Sequence, residues 1–456
     1  MPGSSSRPPI LLLLVPFALL FYLSFFRSSP TSPPHHHTAN PKQPVQQQQQ
    51  QQQQQVIAQD TAPGYSTIKS RLVAVGDIHG DLPHLTKLLR RADIIDLKGQ
   101  WVGGETILVQ TGDIVDRGKD TIAIYRFFQS LRAQADKAGG AVVSLLGNHE
   151  IMNALGDWRY VTKEDIASFG GERNRREAML TGWIGQEWRT NYSINARVPA
   201  LIDSFPPGAP VESFPSVPLG STSDRRFVRE PASFLVDDAQ ALGPFASTAT
   251  HFVHGGVTDT YLAALDVSNP ISKMNEIGSD ILHSLLQSPA APLGLPRGAT
   301  PEQRLFWSED GPMWSRIWAI DDEDEICERV ESVTRSLRVR RLVMGHTPQF
   351  KGIMTRCGGK IVLIDTGISR AYGGPLSALS ITYTLTPPSS LALPDALSFG
   401  IVDLSDPNPE ETLARTPGRG ETVKWVEREV VEAMYTGGRE TVELDRRERV
   451  VELVAP

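Results

Sequence analysis

The stretch Gly76-Asp77-Ile78-His79-Gly80-Asp81 decides the fold, because a buried strand is predicted to end at its first residue. Residues 71–75 are mostly apolar and lead into this glycine, which predicts a strand followed by a tight turn. Asp77 and His79 are two residues apart, so an extended backbone would place both side chains on one face. A carboxylate and an imidazole at a strand end can hold a borderline metal ion. A capped turn with a loop histidine is the alternative interpretation, since Asp and Gly are ordinary turn residues.

The order of strand, polar loop and helix occurs three times in succession. Residues 106–110 predict a second strand, which ends in Gly112-Asp113-Ile114-Val115-Asp116-Arg117-Gly118. Residues 141–146 predict a third strand, which ends in Gly147-Asn148-His149-Glu150. Apolar residues at helical spacing predict helices between these strands. This βαβαβ order predicts a layered α/β fold, with central β-sheets flanked by helices and the site at the carboxyl ends of the strands.

Three successive strand ends therefore offer Asp77 and His79, then Asp113, then Asn148. These residues supply oxygen and nitrogen ligands without a thiolate, and such a set suits manganese, iron or zinc. Asp113 stands in the middle of the set, where it could bridge two ions. Taken singly, residues 112–118 are typical of a turn and Asn148 is typical of a helix cap. Their occurrence at three consecutive strand ends favours a metal site.

The second half of the chain adds two histidines at predicted strand ends. Residues 249–253 predict a strand that ends at His254, and residues 341–344 predict one that leads to His346. Both histidines are candidate ligands. His251 precedes His254 by three residues, so it faces the other side of the strand and is predicted to be a core residue. Nearer the C-terminus we predict strands over 379–385, 399–404 and 441–454, the last being one strand or a pair, and a helix over 421–434.

Composition excludes some classes of protein. The chain has 456 residues and a net charge of −7, whereas a nucleic-acid-binding surface would be basic, so we expect no nucleic-acid partner. The only cysteines are Cys327 and Cys357, which are too few for a disulfide scaffold or a zinc knuckle. They could form one disulfide in an oxidising compartment or stay free, and we expect free thiols.

The N-terminal region predicts membrane attachment. Residues 10–26 carry no charge, and the Ser-, Pro- and His-rich segment 28–44 and the glutamine tract 46–55 follow. Such polar sequence cannot bury enough apolar area to fold. We therefore predict a single-pass membrane anchor in the secretory pathway, or a signal sequence whose cleavage would release a secreted protein. The predicted regions are listed here in order: 1–27 anchor or signal sequence, 28–65 disordered tether, 66–405 catalytic domain, 406–456 C-terminal extension.

Five motifs in a fixed order resemble those of the calcineurin-like metallophosphoesterases: Gly-Asp-x-His-Gly, Gly-Asp-x-Val-Asp-Arg-Gly, Gly-Asn-His-Glu, His-Gly-Gly and Gly-His-Thr. Within that superfamily the chain looks like the phosphoprotein phosphatase branch, over residues 72–380. The runs 345–348 and 365–374 further resemble the Shewanella-like protein phosphatases. The resemblance implies a layered metallophosphoesterase fold and a metal-dependent phosphoesterase that acts on phosphoproteins or phosphopeptides.

The resemblance also implies two adjacent metal ions, of the manganese, iron or zinc type. Asp77 and His79 would hold the first ion, and Asp113 would bridge the two. The second ion would be held by Asn148, His254 and His346. The two ions would lower the pKa of a shared water, and the resulting hydroxide would attack phosphorus directly without a covalent phosphoenzyme.

Four further residues are implied for proton transfer and phosphate binding. His149 would act as the general acid and Asp116 would orient it. Arg117 would clamp the phosphate through its planar guanidinium group. Arg316 resembles the second phosphate-binding arginine of the family. On its own sequence context, among tryptophans, Arg316 could equally be a stacked structural arginine.

Leu146 departs from the family pattern, because many eukaryotic phosphoprotein phosphatases have arginine directly before Gly-Asn-His-Glu. The choice between phosphoserine or phosphothreonine and phosphotyrosine therefore stays open. Two alternatives to a protein phosphatase also remain. Dinucleoside polyphosphate hydrolases share the first three motifs, and a membrane-tethered pseudophosphatase could act as a scaffold. The presence of every proposed ligand and of His149 favours an active enzyme.

Overall fold

The computed structural model describes residues 67–200, 248–287, 294–418 and 420–454. The predicted anchor or signal sequence, and the predicted tether with its glutamine tract, lie outside the described residues. Among the helices within those ranges, none has the length and apolar character that a membrane crossing requires.

The described residues contain twelve strands in two mixed sheets. In chain order the strands are β1 (Ile68–Val75), β2 (Ile107–Gln110), β3 (Ala141–Leu145), β4 (Tyr192–Ser193), β5 (Asn195–Val198), β6 (Thr250–Val253), β7 (Arg341–Met344), β8 (Met354–Arg356), β9 (Ile361–Leu363), β10 (Ser377–Thr386), β11 (Thr422–Tyr435) and β12 (Val442–Val454). One sheet has the order β12-β11-β10-β1-β2-β3-β4, and the other has the order β5-β6-β7-β9-β8. Strands β1, β2 and β3 are parallel, as the predicted βαβαβ unit requires.

Helices connect and cover these strands. In chain order the α-helices of the described residues are α1 (Leu82–Arg91), α2 (Thr121–Lys137), α3 (Asn148–Ala154), α4 (Lys163–Ser168), α5 (Glu172–Leu180), α6 (Trp183–Asn191), α7 (Asp259–Leu265), α8 (Pro270–Gln287), α9 (Pro301–Phe306), α10 (Ile317–Ile320), α11 (Glu323–Leu337), α12 (Leu393–Ser398) and α13 (Pro409–Ala414). A short 3₁₀ helix covers Pro388–Ser390. Helices α1 and α2 join β1 to β2 and β2 to β3, which confirms the predicted helices there.

Strand β1 is buried on both faces, and its alternate residues pack into different cores. Leu72 and Ala74 lie between the two sheets, in one cluster with Val343 of β7. Val73 and Val75 point the other way and belong to the larger cluster formed with the helices. Double burial of the second half of the strand explains why residues 72–75 form a continuous apolar run. The layered α/β fold is therefore as predicted, and the carboxyl ends of its parallel strands meet at one edge.

The helix predicted over 421–434 is wrong, because this segment is β11 and pairs with β10 and β12. Its buried face follows the period of two that is typical of a strand. Glu427 and Glu429 occupy that face, so the apolar alternation is interrupted in the sequence. The two glutamates are buried because Arg340 and Arg341 pair with them across the sheets.

The strand predicted over 399–404 is also wrong. Helix α12 ends just before this segment, which continues as bends and turns. Val402 packs with Ala396 and Leu413 in a small apolar cluster. The apolar residues of this segment are therefore buried locally rather than by strand pairing.

The two cysteines are joined in a disulfide, against our expectation of free thiols. Cys327 lies in α11 and Cys357 follows β8, and their Cα atoms are 5.1 Å apart. No cysteine of the described residues is free. The sequence separation of 30 residues gave no sign of this proximity, which depends on how α11 packs beside the β8–β9 hairpin.

Candidate active site

The six predicted metal ligands come together at the carboxyl ends of the strands. Each of them is at most 5% exposed. They are contributed by the loops after β1, β2, β6 and β7 and by the first residue of α3, in this order: Asp77, His79, Asp113, Asn148, His254 and His346. The fold thus brings residues from almost the whole described chain to one place.

Asp113 is shared by two groups of potential ligands. One group combines it with His79 and His149, and the other combines it with His254 and His346, each with ligand atoms within 4.8 Å of one another. Asp113 Oδ2 lies 3.3 Å from His254 Nε2 and 3.7 Å from His79 Nε2. This position, between the two groups, is the one that a bridging carboxylate requires.

Asp77 and Asn148 stand on opposite sides of this centre. Asp77 Oδ2 is 4.0 Å from His79 Nε2, and Asn148 Oδ1 is 2.7 Å from His254 Nε2. The backbone amide of His346 donates to Asp77 Oδ1 at 3.1 Å. Each of these side chains therefore also touches a histidine residue of the candidate ligand set.

Backbone carbonyls hold the histidine rings in defined orientations. His79 Nδ1 donates to the Val115 carbonyl at 2.9 Å, and His254 Nδ1 donates to the Thr111 carbonyl at 2.9 Å. The Nε2 atoms of both rings are left to face the centre. His346 is arranged the other way, because its Nε2 donates to the Trp314 carbonyl at 3.1 Å. Such contacts fix the tautomer of a ligating imidazole.

The charges at the centre are unbalanced in a way that suits divalent cations. Burial raises the pKa of Asp77, and the nearby carboxylates of Asp365 and Asp113 raise it further. Burial also lowers the pKa of His79 to about 4, so its imidazole is neutral and can ligate. Crowded carboxylates beside neutral imidazoles form a donor set that manganese, iron or zinc ions would neutralise. The residues present therefore fit the implied metals.

The site backbone is strained in the left-handed region. The residues with positive φ include His79 (45°), Asp113 (56°), Asp116 (70°), Arg117 (60°) and His346 (66°). Two motif glycines make room for carboxylates: a Cβ on Gly147 would lie 2.1 Å from Asp113 Oδ1, and one on Gly345 would lie 2.3 Å from Asp77 Oδ1. Strain of this kind persists only where the surrounding structure enforces it, and it is common at functional sites.

Glu150 is a site residue that our sequence interpretation missed. Its carboxylate accepts hydrogen bonds from the backbone amides of Asp113, Ile114 and Gly147, at 2.9, 2.9 and 2.7 Å. It therefore ties the loop after β2 to the start of α3. The available sequence signal was an acid at the end of the motif Gly-Asn-His-Glu. Its full burial, which requires several hydrogen-bond donors, is visible only in the structure.

Asp365 is a second residue that we missed. It is buried and hydrogen-bonds with Asp77, and burial raises its pKa to about 6. The sequence placed it at a strand end without assigning a role. His251, by contrast, is buried away from the centre and bonds to Asn195 Oδ1 at 2.9 Å, which agrees with the prediction that it is a core residue.

His149 is held by a chain of polar contacts beside the ligands. Its Nδ1 donates to Asp116 Oδ2 at 2.6 Å. Asp116 Oδ1 in turn accepts from Asn153 Nδ2 at 2.9 Å and lies 3.5 Å from Arg175 Nη2. Burial acts to lower the pKa of His149, but the carboxylates of Asp113 and Asp116 outweigh it and raise the pKa. The opposite ring nitrogen, Nε2, faces Asp113 at 3.7 Å.

Arg117 lies between two aromatic rings at the mouth of the site. Its guanidinium carbon is 4.5 Å from the ring centroid of Tyr160 and 4.8 Å from that of Tyr372. Its buried Nε has no hydrogen-bond partner among the described residues, so a donor is available to an anion. Arg316 is exposed, and its Nη1 donates to the His346 carbonyl at 2.8 Å. Both predicted phosphate-binding arginines therefore border the candidate ligands.

Comparison with known proteins gives a consistent result. The family profile described as calcineurin-like phosphoesterase matches residues 70–350. An uncharacterized protein of Schizosaccharomyces pombe is 36% identical over 311 residues, which are 68% of this chain and 76% of the relative. Shewanella-like protein phosphatase 1 of Plasmodium berghei is 38% identical over 319 residues, covering 68% of this chain and 72% of the relative.

A solved structure that also matches is the cold-active protein-tyrosine phosphatase of a psychrophilic Shewanella species. Its sequence identity to this chain is 22% and its TM-score is 0.47. The match covers 69% of this chain and 77% of that chain.

Proposed function

Because the chain belongs to the calcineurin-like phosphoesterase family and is a metal-dependent phosphoesterase, we propose that it hydrolyses phosphomonoesters on proteins with two bound metal ions. The observation that carries the two-ion proposal is the position of Asp113 between two groups of potential ligands. The name of the Plasmodium berghei relative supports a phosphoprotein substrate. Manganese, iron and zinc all suit the nitrogen and oxygen ligands present.

The proposed metal centre uses the six residues predicted from the sequence. Asp77 and His79 would hold one ion, and Asp113 would bridge the two. The other ion would be held by Asn148, His254 and His346. When bound, the ions would supply the Lewis acidity that activates water at neutral pH and neutralises the charge of the phosphoryl group. Asp365 and Glu150 would position Asp77 and Asp113, respectively, through the contacts described above.

His149 is proposed as the general acid. Water attacks phosphorus in line with the ester bond, that bond breaks, and the leaving oxygen needs a proton. Because the Nδ1 proton of His149 is held by Asp116, the Nε2 atom is the one that can deliver a proton to the leaving oxygen. Asn153 and Arg175 contact the other carboxylate oxygen of Asp116, so Asp116 holds the His149 imidazole in one orientation.

Phosphate binding is assigned to Arg117, with Arg316 as a second cation. Contacts with the rings of Tyr160 and Tyr372 hold the guanidinium of Arg117 beside the proposed metal centre. Its Nε, which has no partner among the described residues, can donate to a phosphate oxygen.

The test is turnover by the full chain, supplied with manganese, on phosphoserine, phosphothreonine and phosphotyrosine peptides and on diadenosine tetraphosphate. We expect release of phosphate from at least one peptide at a higher kcat/KM than from the dinucleotide. Replacement His149→Asn should lower kcat by about 10²–10⁴-fold, because general acid catalysis is worth that much. Metal content should not change. The exposed His283→Asn is the matched control.

Two outcomes would contradict this proposal. Faster turnover of diadenosine tetraphosphate than of every peptide would favour the dinucleoside polyphosphate hydrolase instead. Unchanged turnover in His149→Asn would show that His149 is not the general acid. If the metal-loaded protein turned over none of the substrates, the alternative of a catalytically silent scaffold would be favoured.

A location in the secretory pathway or outside the cell stays a prediction from the sequence. The disulfide between Cys327 and Cys357 supports it, since disulfides persist mainly in oxidising compartments. Residues 10–26 would provide the anchor. Fractionation of cells that express the full chain, with and without these residues, tests the prediction.

A further inference from the structure

A cavity of about 290 Å³ lies beside β3, away from the candidate ligands. Its walls come from β3, β4, α6, α8 and the C-terminal part of α2. The apolar part of the lining is formed by Val142, Leu146, Trp188, Ile194 and Leu282, and all of them are buried. A largely apolar lining with a few polar groups is characteristic of small-molecule sites.

The cavity exists because the sheet stops short at this edge. Strand β4 has only two residues and pairs with Ser144 and Leu145 of β3. The amide of Leu146 donates to the Ser193 carbonyl at 2.8 Å, so the outward side of β3 is covered only at this end. Alternate residues of a strand present their backbone groups to the same side, and those of Val142 therefore face the same edge, beyond the reach of β4.

Two arginines line the cavity. Arg132 Nη1 pairs with Glu187 at 3.0 Å, but its buried Nε has no hydrogen-bond partner among the described residues. Arg189 Nη1 donates to the Leu180 carbonyl at 2.7 Å, and within the described residues it forms no ion pair. Among the described residues that line the cavity, Asp136 is the only one with a carboxylate, and it is exposed. A ligand that combines an apolar body with a strong hydrogen-bond acceptor would satisfy these groups.

The cavity wall connects to the candidate active site. Trp188 Nε1 donates to the Tyr125 hydroxyl at 2.7 Å, and that hydroxyl lies 3.4 Å from Glu150 Oε1. Glu150 holds the backbone amides of Asp113 and Gly147. Leu146 also lines the cavity and directly precedes Gly147. A molecule in the cavity therefore contacts two elements that position Asp113.

We propose that this cavity binds a small apolar molecule carrying an anionic acceptor group, and that its occupancy changes turnover through Trp188, Tyr125 and Glu150. The first half of the proposal concerns binding alone. The second half rests on the proposed phosphatase function.

Binding is tested with 8-anilinonaphthalene-1-sulfonate, an aromatic sulfonate whose fluorescence rises in apolar sites. The full chain should bind it saturably. Ser279→Trp, which fills the cavity from α8, should weaken binding at least tenfold, and Thr190→Trp, which fills it from α6, should do the same. Asp280→Trp, on the exposed side of α8, is the matched control and should bind like the wild type. Circular dichroism checks that each variant is folded.

Coupling is tested by turnover of 4-nitrophenyl phosphate over the same titration. In the wild type kcat should change at least twofold, with a midpoint equal to that of binding. Ser279→Trp should abolish this response, and Tyr125→Phe should abolish it while still binding the probe. Equal probe binding by wild type and both filled variants, or no saturable binding, overturns the site. Binding without any change in kcat overturns the coupling, and a protein without turnover fails the proposed function while leaving the binding result intact.

Discussion

Two groups of buried carboxylates in the described residues have different surroundings. At the ends of β1, β2 and β9, Asp77, Asp113 and Asp365 crowd together beside neutral histidines. On the buried face of β11, Glu427 and Glu429 meet arginine side chains of β7, of the residue just before β7, and of β12. At the second place, the charges of the two glutamates are paired with arginines of the protein itself. At the first place the crowding of carboxylates favours the binding of cations, which is how a candidate binding centre differs from a structural ion-pair network.

The largest effect is expected from Asp113→Asn, which removes the shared carboxylate from the unbalanced centre. We expect kcat to fall by about 10⁴-fold, because the proposed two-ion centre would lose the ligand that its two groups share. Metal analysis should show less than two ions per chain. Asp403→Asn, at an exposed aspartate, is the control. If Asp113→Asn kept both ions and its activity, the claim that the carboxylates of the candidate site bind cations, unlike those of β11, would be contradicted.

The next effect is expected at the balanced place. Arg341 is fully buried and pairs with Glu429. Arg341→Met should lower the free energy of unfolding by about 3–5 kcal/mol, because Glu429 loses a partner inside the protein. Urea denaturation measures this loss. Arg446→Met, at an exposed ion pair, is the control and should change the denaturation midpoint far less, because surface ion pairs contribute little to stability. Both variants should keep normal kcat per folded molecule, and a drop in kcat would connect this network to catalysis.

A pH dependence should distinguish the two places in metal-free protein. Burial raises the pKa of Asp365 from its ordinary value of 3.8 to about 6. A raised pKa in the folded state means that stability from this group is present below pH 4 and is lost as the pH rises through 6. The loss is on the order of 3 kcal/mol. Thermal unfolding of chelator-treated protein should therefore show a decline between pH 4 and pH 6 that is smaller in Asp365→Asn. Identical pH profiles would contradict the crowding of carboxylates.

The smallest effect concerns the mouth of the site. Tyr372→Ala removes one of the two rings that hold Arg117, and such a contact is worth about 0.5–1 kcal/mol. We expect KM for a phosphopeptide to rise by about 2–5-fold with little change in kcat. Tyr372→Phe keeps the ring and should behave like the wild type. A loss in Tyr372→Phe equal to that in Tyr372→Ala would mean that the hydroxyl, rather than the ring, matters.

The sequence predicted the unbalanced centre well because its signals are local. Asp77 and Asp113 follow strands whose apolar runs are unmistakable, and each lies next to a glycine in a short motif. The balanced place was mispredicted because Glu427 and Glu429 need partners from β7, which are distant in the sequence. No local pattern distinguishes a buried, paired glutamate from one on a solvated helix face.

Residues that act through others were missed for a related reason. Glu150 ends the motif Gly-Asn-His-Glu and Asp365 begins the run 365–374, but their roles come from backbone amides and carboxylates that only the folded chain brings near them. Tyr160 contributes a ring from a loop that lies beyond α3 in the sequence. The pairing of Cys327 with Cys357 likewise depends on tertiary packing rather than on spacing.

The disulfide has a topological consequence for the metal centre. The covalent ring that it closes spans 30 residues in sequence and contains β7 and His346. In the chain-entropy description, a ring of this size lowers the conformational entropy of the unfolded chain. The free energy of unfolding rises by about 3–4 kcal/mol as a result. One proposed ligand is therefore carried on a tethered loop even when the rest of the protein is unfolded. The proposed metal centre contains no sulfur ligand, yet the stability of the fold that carries it depends on whether its surroundings keep this disulfide oxidised.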